Sequence, residues 1–188
     1  MKKIIIIFLF ILNLQSFCKA DDIRDLEIEG MSIGDSLLDY YDKESLTTNT
    51  ADFFTDNTYS MQAYTTKDSL LFEQLSVSYL TDDKNFKAEA ISGDIHFPNN
   101  INDCYKKMEE VKESLMESLS DIIPKQKVTN KNSSHGVYTY ISFIFESGDE
   151  ISISCYDYDN SKYSYTDVFR LSFETKEFRY WIDNIAYK

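Results

Sequence analysis

The chain has 188 residues and a formal net charge of −13, from 32 acidic and 19 basic residues. Nucleic-acid affinity comes mainly from Lys and Arg that neutralise phosphates, so this acidic chain is expected to bind neither nucleic acid nor anionic lipid surfaces. It contains only 5 glycines and 2 prolines against 14 tyrosines and 13 phenylalanines. That composition argues against a disordered linker protein.

The first twenty residues have the pattern of a secretory signal peptide. Residues 1–3 carry positive charge, residues 4–14 are almost entirely apolar, and Cys18-Lys19-Ala20 places small residues at positions −3 and −1 of a cleavage site. This pattern predicts cleavage near Ala20/Asp21 and a periplasmic or secreted mature protein. The apolar run is shorter than the roughly 20 residues that a membrane-spanning helix needs, so no integral membrane segment is expected after cleavage.

Cys18 allows a second interpretation of this segment, in which the chain is cleaved before the cysteine and lipidated. Phe17 is bulky where a lipoprotein signal has a small residue, which favours ordinary cleavage. The mature chain, residues 21–188, then has 16 basic and 32 acidic residues. Its length suits a single acidic domain.

Two cysteines remain after cleavage, Cys104 and Cys155. An even number of cysteines in an exported chain predicts a disulfide bond. A bridge closing a loop of about 50 residues would stabilise the fold by about 4 kcal/mol. The spacing is not the Cys-x-x-Cys of redox-active pairs, and two free buried thiols remain the alternative.

The first half of the mature chain predicts one helix and three strands. Ser32 and Asp35 resemble a capping box, and apolar residues at helical spacing follow as far as Tyr41. Alternating apolar residues then predict strands at 59–65, 70–80 and 86–97. In the third strand the apolar phase changes, which predicts a bulge or a bend near Gly93.

The second half predicts another helix, three strands and a terminal helix. Apolar residues at helical spacing run from Ile101 to Ile122, with glutamates on the opposite side. Residues 125–136 are predicted to form a loop. Strands are expected at 137–145, 151–158 and 163–173, and a helix within 175–188. The order α-βββ-α-βββ-α predicts an α+β fold, an antiparallel sheet with helices packed on one face.

One short motif suggests catalysis. Gly34-Asp35-Ser36-Leu37 resembles the signature of GDSL-type esterases and lipases, which implies a serine hydrolase with Ser36 as nucleophile. That family takes its base from Asp-x-x-His, and neither His96 nor His135 has an aspartate three residues before it. A serine without a base is not activated. No catalytic residue is therefore predicted, and the hydrolase remains an alternative.

Metal and cofactor sites are not predicted either. His96 and His135 do not pair with the cysteines at ligand spacing. Residues 157–161 begin like a calcium loop, but Lys162 and Val168 stand where an EF-hand requires Gly and Glu.

The best candidate for a binding surface is a tyrosine-rich hairpin end. Tyrosine offers a large contact area with a polar tip, and ordinary strand packing is the alternative interpretation. The four residues are Tyr156, Tyr158, Tyr163 and Tyr165.

Three segments, 28–40, 104–108 and 155–157, resemble uncharacterised exported proteins of marine alphaproteobacteria with AT-rich genomes. The turn at Gly30-Met31-Ser32 before a short helix is similar to outer-membrane assembly lipoproteins of the SmpA type. The first group carries no known activity, and we expect a non-catalytic binding or envelope-assembly module whose partner is an envelope protein. A stand-alone structural or stress-related protein is the alternative.

Overall fold

The computed structural model describes residues 22–48, 54–65, 71–98, 100–119, 125–133, 135–159 and 165–188. The predicted signal peptide and Tyr163 lie outside these residues. No helix within the described ranges is long and apolar enough to cross a membrane.

The described residues form seven strands, three α-helices and two single turns of 3₁₀ helix. The strands are β1 (Tyr59–Thr65), β2 (Gln74–Leu80), β3 (Ala90–Phe97), β4 (Lys125–Ser133), β5 (Gly136–Ile144), β6 (Glu150–Tyr158) and β7 (Asp167–Glu174). The helices are α1 (Lys43–Thr47), α2 (Ile101–Ser118) and α3 (Lys176–Asn184), and the 3₁₀ turns are Ile23–Asp25 and Leu37–Asp39.

All seven strands belong to one antiparallel sheet, in the order β1-β2-β3-β7-β6-β5-β4. Two meanders lie side by side and join through their last strands, with Ser92 of β3 opposite Ser172 of β7. The sheet and the helices confirm the predicted α+β fold and, broadly, the order of its elements. Strand β4 replaces the predicted loop, because main-chain pairing with β5 at a sheet edge requires no apolar pattern.

The main core lies on one face of the sheet. Helix α2 packs its buried Met108 and Leu115 over β3, β6 and β7. Residues 22–48 cover the neighbouring part of the same face, where Tyr41 stacks on Tyr64 with ring centroids 4.1 Å apart. Burying this apolar surface on both sides of the interface is the main stabilising contribution to the fold.

The two cysteines join α2 to this face of the sheet. Cys104 of α2 and Cys155 of β6 are fully buried, and their Sγ atoms lie at disulfide distance, 2.01 Å apart. The pair predicted from the sequence is thus brought together by the fold.

The predicted first helix is wrong in its extent. Only the 3₁₀ turn Leu37–Asp39 and the short α1 form in this region. Asp35 does accept a hydrogen bond from the main-chain N–H of Ser32 at 2.9 Å, as in half a capping box. The main chain nevertheless pairs with residues 86–88, since Gly34 N–H donates to Ala88 O at 2.8 Å. Gly34 has φ +90°, which ends any helix begun at Ser32.

Helix α3 differs from the prediction that the helices pack on one face. Its Phe178 and Trp181 form a second buried cluster with Tyr59 and Ala90, on the face opposite α2. Because α3 covers only part of that face, the remainder of it forms the floor of a cleft.

Candidate ligand-binding cleft

A cavity of about 710 Å³ lies between α3 and the sheet face opposite α2, and we name it the sheet–helix cleft. Small-molecule sites in proteins typically enclose about 300–1,000 Å³. Its floor comes from β1, β2, β3, β5, β6 and β7, and one wall comes from α3 with Phe54 and Tyr187.

Serine hydroxyls form the floor of the cleft. Four serines lie directly opposite one another on neighbouring strands, in the order Ser76, Ser92, Ser172 and Ser152. This arrangement follows from the sequence, because each of these serines lies between two residues of the opposite face of its strand, and the strands pair with the serines in register. All four line the cleft, and Ser76, Ser152 and Ser172 are more than nine-tenths buried.

An arginine–aspartate pair borders one side of the serine floor. Arg170 Nε and Nη2 each donate to a carboxylate oxygen of Asp94 at 2.7 Å. The Asp94 side chain is 7% exposed, whereas the side chain of Arg170, which lines the cleft, is 36% exposed. Burial alone would lower the pKa of Arg170, but its hydrogen bonds to Asp94 raise that pKa overall, so the guanidinium stays charged. Its centre lies 5.5 Å from the Tyr156 ring.

A second group of paired charges borders the other side, beneath α3. Arg179 donates to Glu174 Oε2 at 3.1 Å and to Asp183 Oδ2 at 3.0 Å. Glu174 lies opposite Glu150 on β6. Burial raises the pKa of Glu174 above the ordinary glutamate value, an effect that outweighs the attraction of Arg179.

Hydrogen bonds at each end of α3 hold it over the sheet. Thr175 caps the helix by accepting from the N–H of Phe178 at 3.2 Å, and its hydroxyl donates to Glu89 at 2.8 Å. Further along the helix, Trp181 Nε1 donates to Asp56 at 2.6 Å. These contacts fix the wall of the cleft relative to its floor.

The predicted tyrosine surface adjoins this cleft. A second cavity, of about 340 Å³, lies on the other side of the Arg170–Asp94 pair and is lined by Tyr156, Tyr158 and Tyr165. Tyr156 borders both cavities, and the rings of Tyr158 and Tyr165 lie 5.2 Å apart. Burial raises the pKa of Tyr158.

Sequence reasoning missed the serine floor. Its signal was present in segments such as Leu75–Tyr79 and Ile151–Cys155, where every polar position of the strand is serine. In a chain with 27% charged residues, a strand face that faces only solvent would be expected to carry charged side chains.

The residues weighed for catalysis are not brought together. Ser36 Oγ donates to the main-chain oxygen of Asn85 at 2.9 Å, and no hydrogen bond from a described histidine reaches it. His96 Nδ1 lies 2.6 Å from Glu73 Oε2, and the His135 ring lies beside Tyr165.

Within the described ranges, no cluster of three His, Cys, Asp or Glu side chains is placed to hold a metal ion. Comparisons of the chain with protein-family models, with curated proteins and with solved structures found no match.

Proposed function

We propose that this chain is a non-catalytic binding module that is exported to the periplasm or secreted and takes its ligand in the sheet–helix cleft. The observation that carries the proposal is the polar floor of that cleft. Ser76, Ser152 and Ser172 are almost fully buried, yet their hydroxyls make no hydrogen bond to the described residues. Buried polar groups normally have partners, so hydroxyls left for water or a ligand at the bottom of a cavity favour a binding site.

The charged groups of the cleft support binding rather than catalysis. Arg170 is paired with Asp94, and Arg179 with Glu174 and Asp183. A general base or nucleophile needs an activating partner poised toward a substrate, whereas these side chains are engaged in ion pairs with one another. Because the first twenty residues predict export, the proposed partner is a component of the cell envelope.

Site-specific photo-cross-linking in the cells that make the protein tests this function. A photoreactive phenylalanine analogue would replace Tyr140, which lines the cleft, or Tyr180, which is exposed on α3 and does not line it. We expect an adduct from position 140 that mass spectrometry identifies and that Ser172→Trp, which fills the cleft, abolishes.

The control position decides between the alternatives. Equal adducts from positions 140 and 180 would place binding elsewhere and contradict the proposal. The absence of adducts from both positions would favour a stand-alone structural protein.

A further inference from the structure

The serine hydroxyls of the cleft form a regular line. Neighbouring strands lie about 4.8 Å apart, so the row from Ser76 to Ser152 spans about 14 Å. Each hydroxyl can donate one hydrogen bond and accept two. Among the described residues none of these four hydroxyls has a partner, whereas Ser142 at the next position of the row donates to Glu150 at 2.6 Å. The floor therefore offers several adjacent groups that are both donors and acceptors.

The main chain of the floor contributes little to recognition. Strands β3, β7 and β6 are paired on both sides, so their N–H and C=O groups are used within the sheet. A peptide that binds by adding a strand needs a free sheet edge, and the cleft lies on a sheet face. Recognition must therefore come from side chains.

Each arginine that lines the cleft is already paired with at least one carboxylate. Arg170 is neutralised by Asp94, and Arg179 lies between Glu174 and Asp183. A charged ligand would have to displace one of these partners, which is costly for buried ions. Two of the five N–H donors of Arg170 bind Asp94, and the other three have no hydrogen-bond partner among the described residues. They can donate to a neutral oxygen-rich ligand.

Aromatic rings stand beside the hydroxyl row. Tyr138, Tyr140 and Tyr156 lie on β5 and β6, and Tyr187 lies on the wall that includes α3. Such rings offer a flat apolar face together with a polar tip. A lipid tail would leave the serine hydroxyls without partners, which is unfavourable.

We propose that the sheet–helix cleft binds a neutral carbohydrate segment. Sugar hydroxyls would bind the serine row and Arg170, and the C–H faces of the pyranose rings would pack against the tyrosine rings. This inference rests on the proposed function, because it names the ligand class of the same cleft.

Binding of neutral oligosaccharides to the mature protein tests the inference. The probes are α- and β-linked glucans, chitin oligosaccharides, mannans and xylans, first on an array and then by saturation-transfer NMR. We expect at least one probe to bind, and a Ser152→Ala and Ser172→Ala double variant to bind at least about tenfold more weakly, since one lost hydrogen bond costs roughly fivefold.

The matched control is Ser114→Ala, at an exposed position of α2 across the sheet from the cleft, which we expect to leave affinity unchanged. Carbohydrate binding that the double variant does not weaken, although its unfolding midpoint is normal, would overturn the inference. So would the absence of binding by every probe at millimolar concentration. If no probe binds but cross-linking from position 140 yields a peptide or lipid adduct, the cleft is still a binding site and only the carbohydrate ligand is ruled out. If position 140 yields no adduct either, both the binding function and the carbohydrate ligand are ruled out.

Discussion

At the scale of single residues, the close approach of the Phe72 ring explains why position 93 is a glycine. Strand β3 pairs residue for residue with both neighbours through Gly93, so the bulge, one of the two predicted distortions, is wrong. The ring of Phe72 instead lies over this glycine, and a Cβ there would lie 2.5 Å from ring atoms. No local pattern in a sequence shows which distant ring will contact a given glycine.

Gly93→Ala should therefore destabilise the protein. We expect the free energy of unfolding to fall by about 1–3 kcal/mol, because the new methyl group overpacks the core at Phe72. Urea denaturation measures this change. Ser92→Ala, the next residue on the opposite face of β3, is the control and should have a small effect. Equal effects at the two positions would show that the contact with Phe72 imposes no constraint.

Glu174 should make stability depend on pH. Because burial raises its pKa in the folded protein, the folded state keeps this proton to higher pH than the unfolded chain does. Protonated Glu174 therefore stabilises the folded state. This stabilisation is fully present below pH 4.5, the ordinary pKa of glutamate, and is lost as the pH rises through the raised pKa of the folded protein.

Relative to Glu174→Gln, the wild-type protein should thus lose stability as the pH rises above 4.5 and through the raised pKa of Glu174. Urea titrations of both proteins across this range measure the difference. Glu177→Gln, at an exposed glutamate of α3, controls for the general effect of removing one negative charge. If the free energy of unfolding of the wild-type protein instead increased with pH relative to that of Glu174→Gln, the raised pKa of Glu174 would be contradicted.

At the scale of elements, long periodic segments were predictable and short ones were not. The apolar stripe of α2 and the alternation in β1, β2 and β5–β7 follow from burial of one face, which sequence periodicity reports directly. The segment 32–41 has a helical pattern, but pairing with residues 86–88 overrides it. Strand β4 has no apolar alternation, so only its pairing with β5 reveals it.

The same distinction applies to the site. Tyr156, Tyr158 and Tyr165 could be nominated because large polar aromatics are conspicuous in a sequence. The serine row could not, because its four members come from four strands and only the sheet order aligns them. Arg170 and Asp94 are separated by 76 positions and become partners only through the β3–β7 pairing.

The Cys104–Cys155 link should contribute strongly to the stability of α2 on the sheet. Its cysteines are 51 positions apart, so a Cys104→Ala and Cys155→Ala double variant should lose about 4 kcal/mol of unfolding free energy. Urea denaturation of the variant, the oxidised protein and the reduced protein measures this loss, and the reduced wild-type chain controls for altered packing. Two reactive thiols in the unfolded, unreduced protein would show that the bond is absent.

At the scale of the whole molecule, the acidic charge predicts that the protein does not bind nucleic acid, and the signal-peptide pattern predicts export. We expect the protein recovered from the periplasm or the medium to begin at Asp21, because signal peptidases cleave after small residues at −3 and −1. Intact-mass measurement of the recovered protein checks this. Replacing Ala20 by a bulky residue should impair cleavage. An intact N-terminus on the cytoplasmic protein would contradict export.

The central claim is that the sheet–helix cleft is the binding site of this molecule. Fluorine NMR of fluorotyrosine-labelled protein, titrated with an extract of the cell envelope, tests it most directly. We predict that signals of Tyr138, Tyr140, Tyr156 and Tyr187 shift together, that the signal of exposed Tyr180 stays in place, and that Ser172→Trp removes the shifts. Shifts confined to Tyr180, or shifts that persist in Ser172→Trp, would contradict the claim.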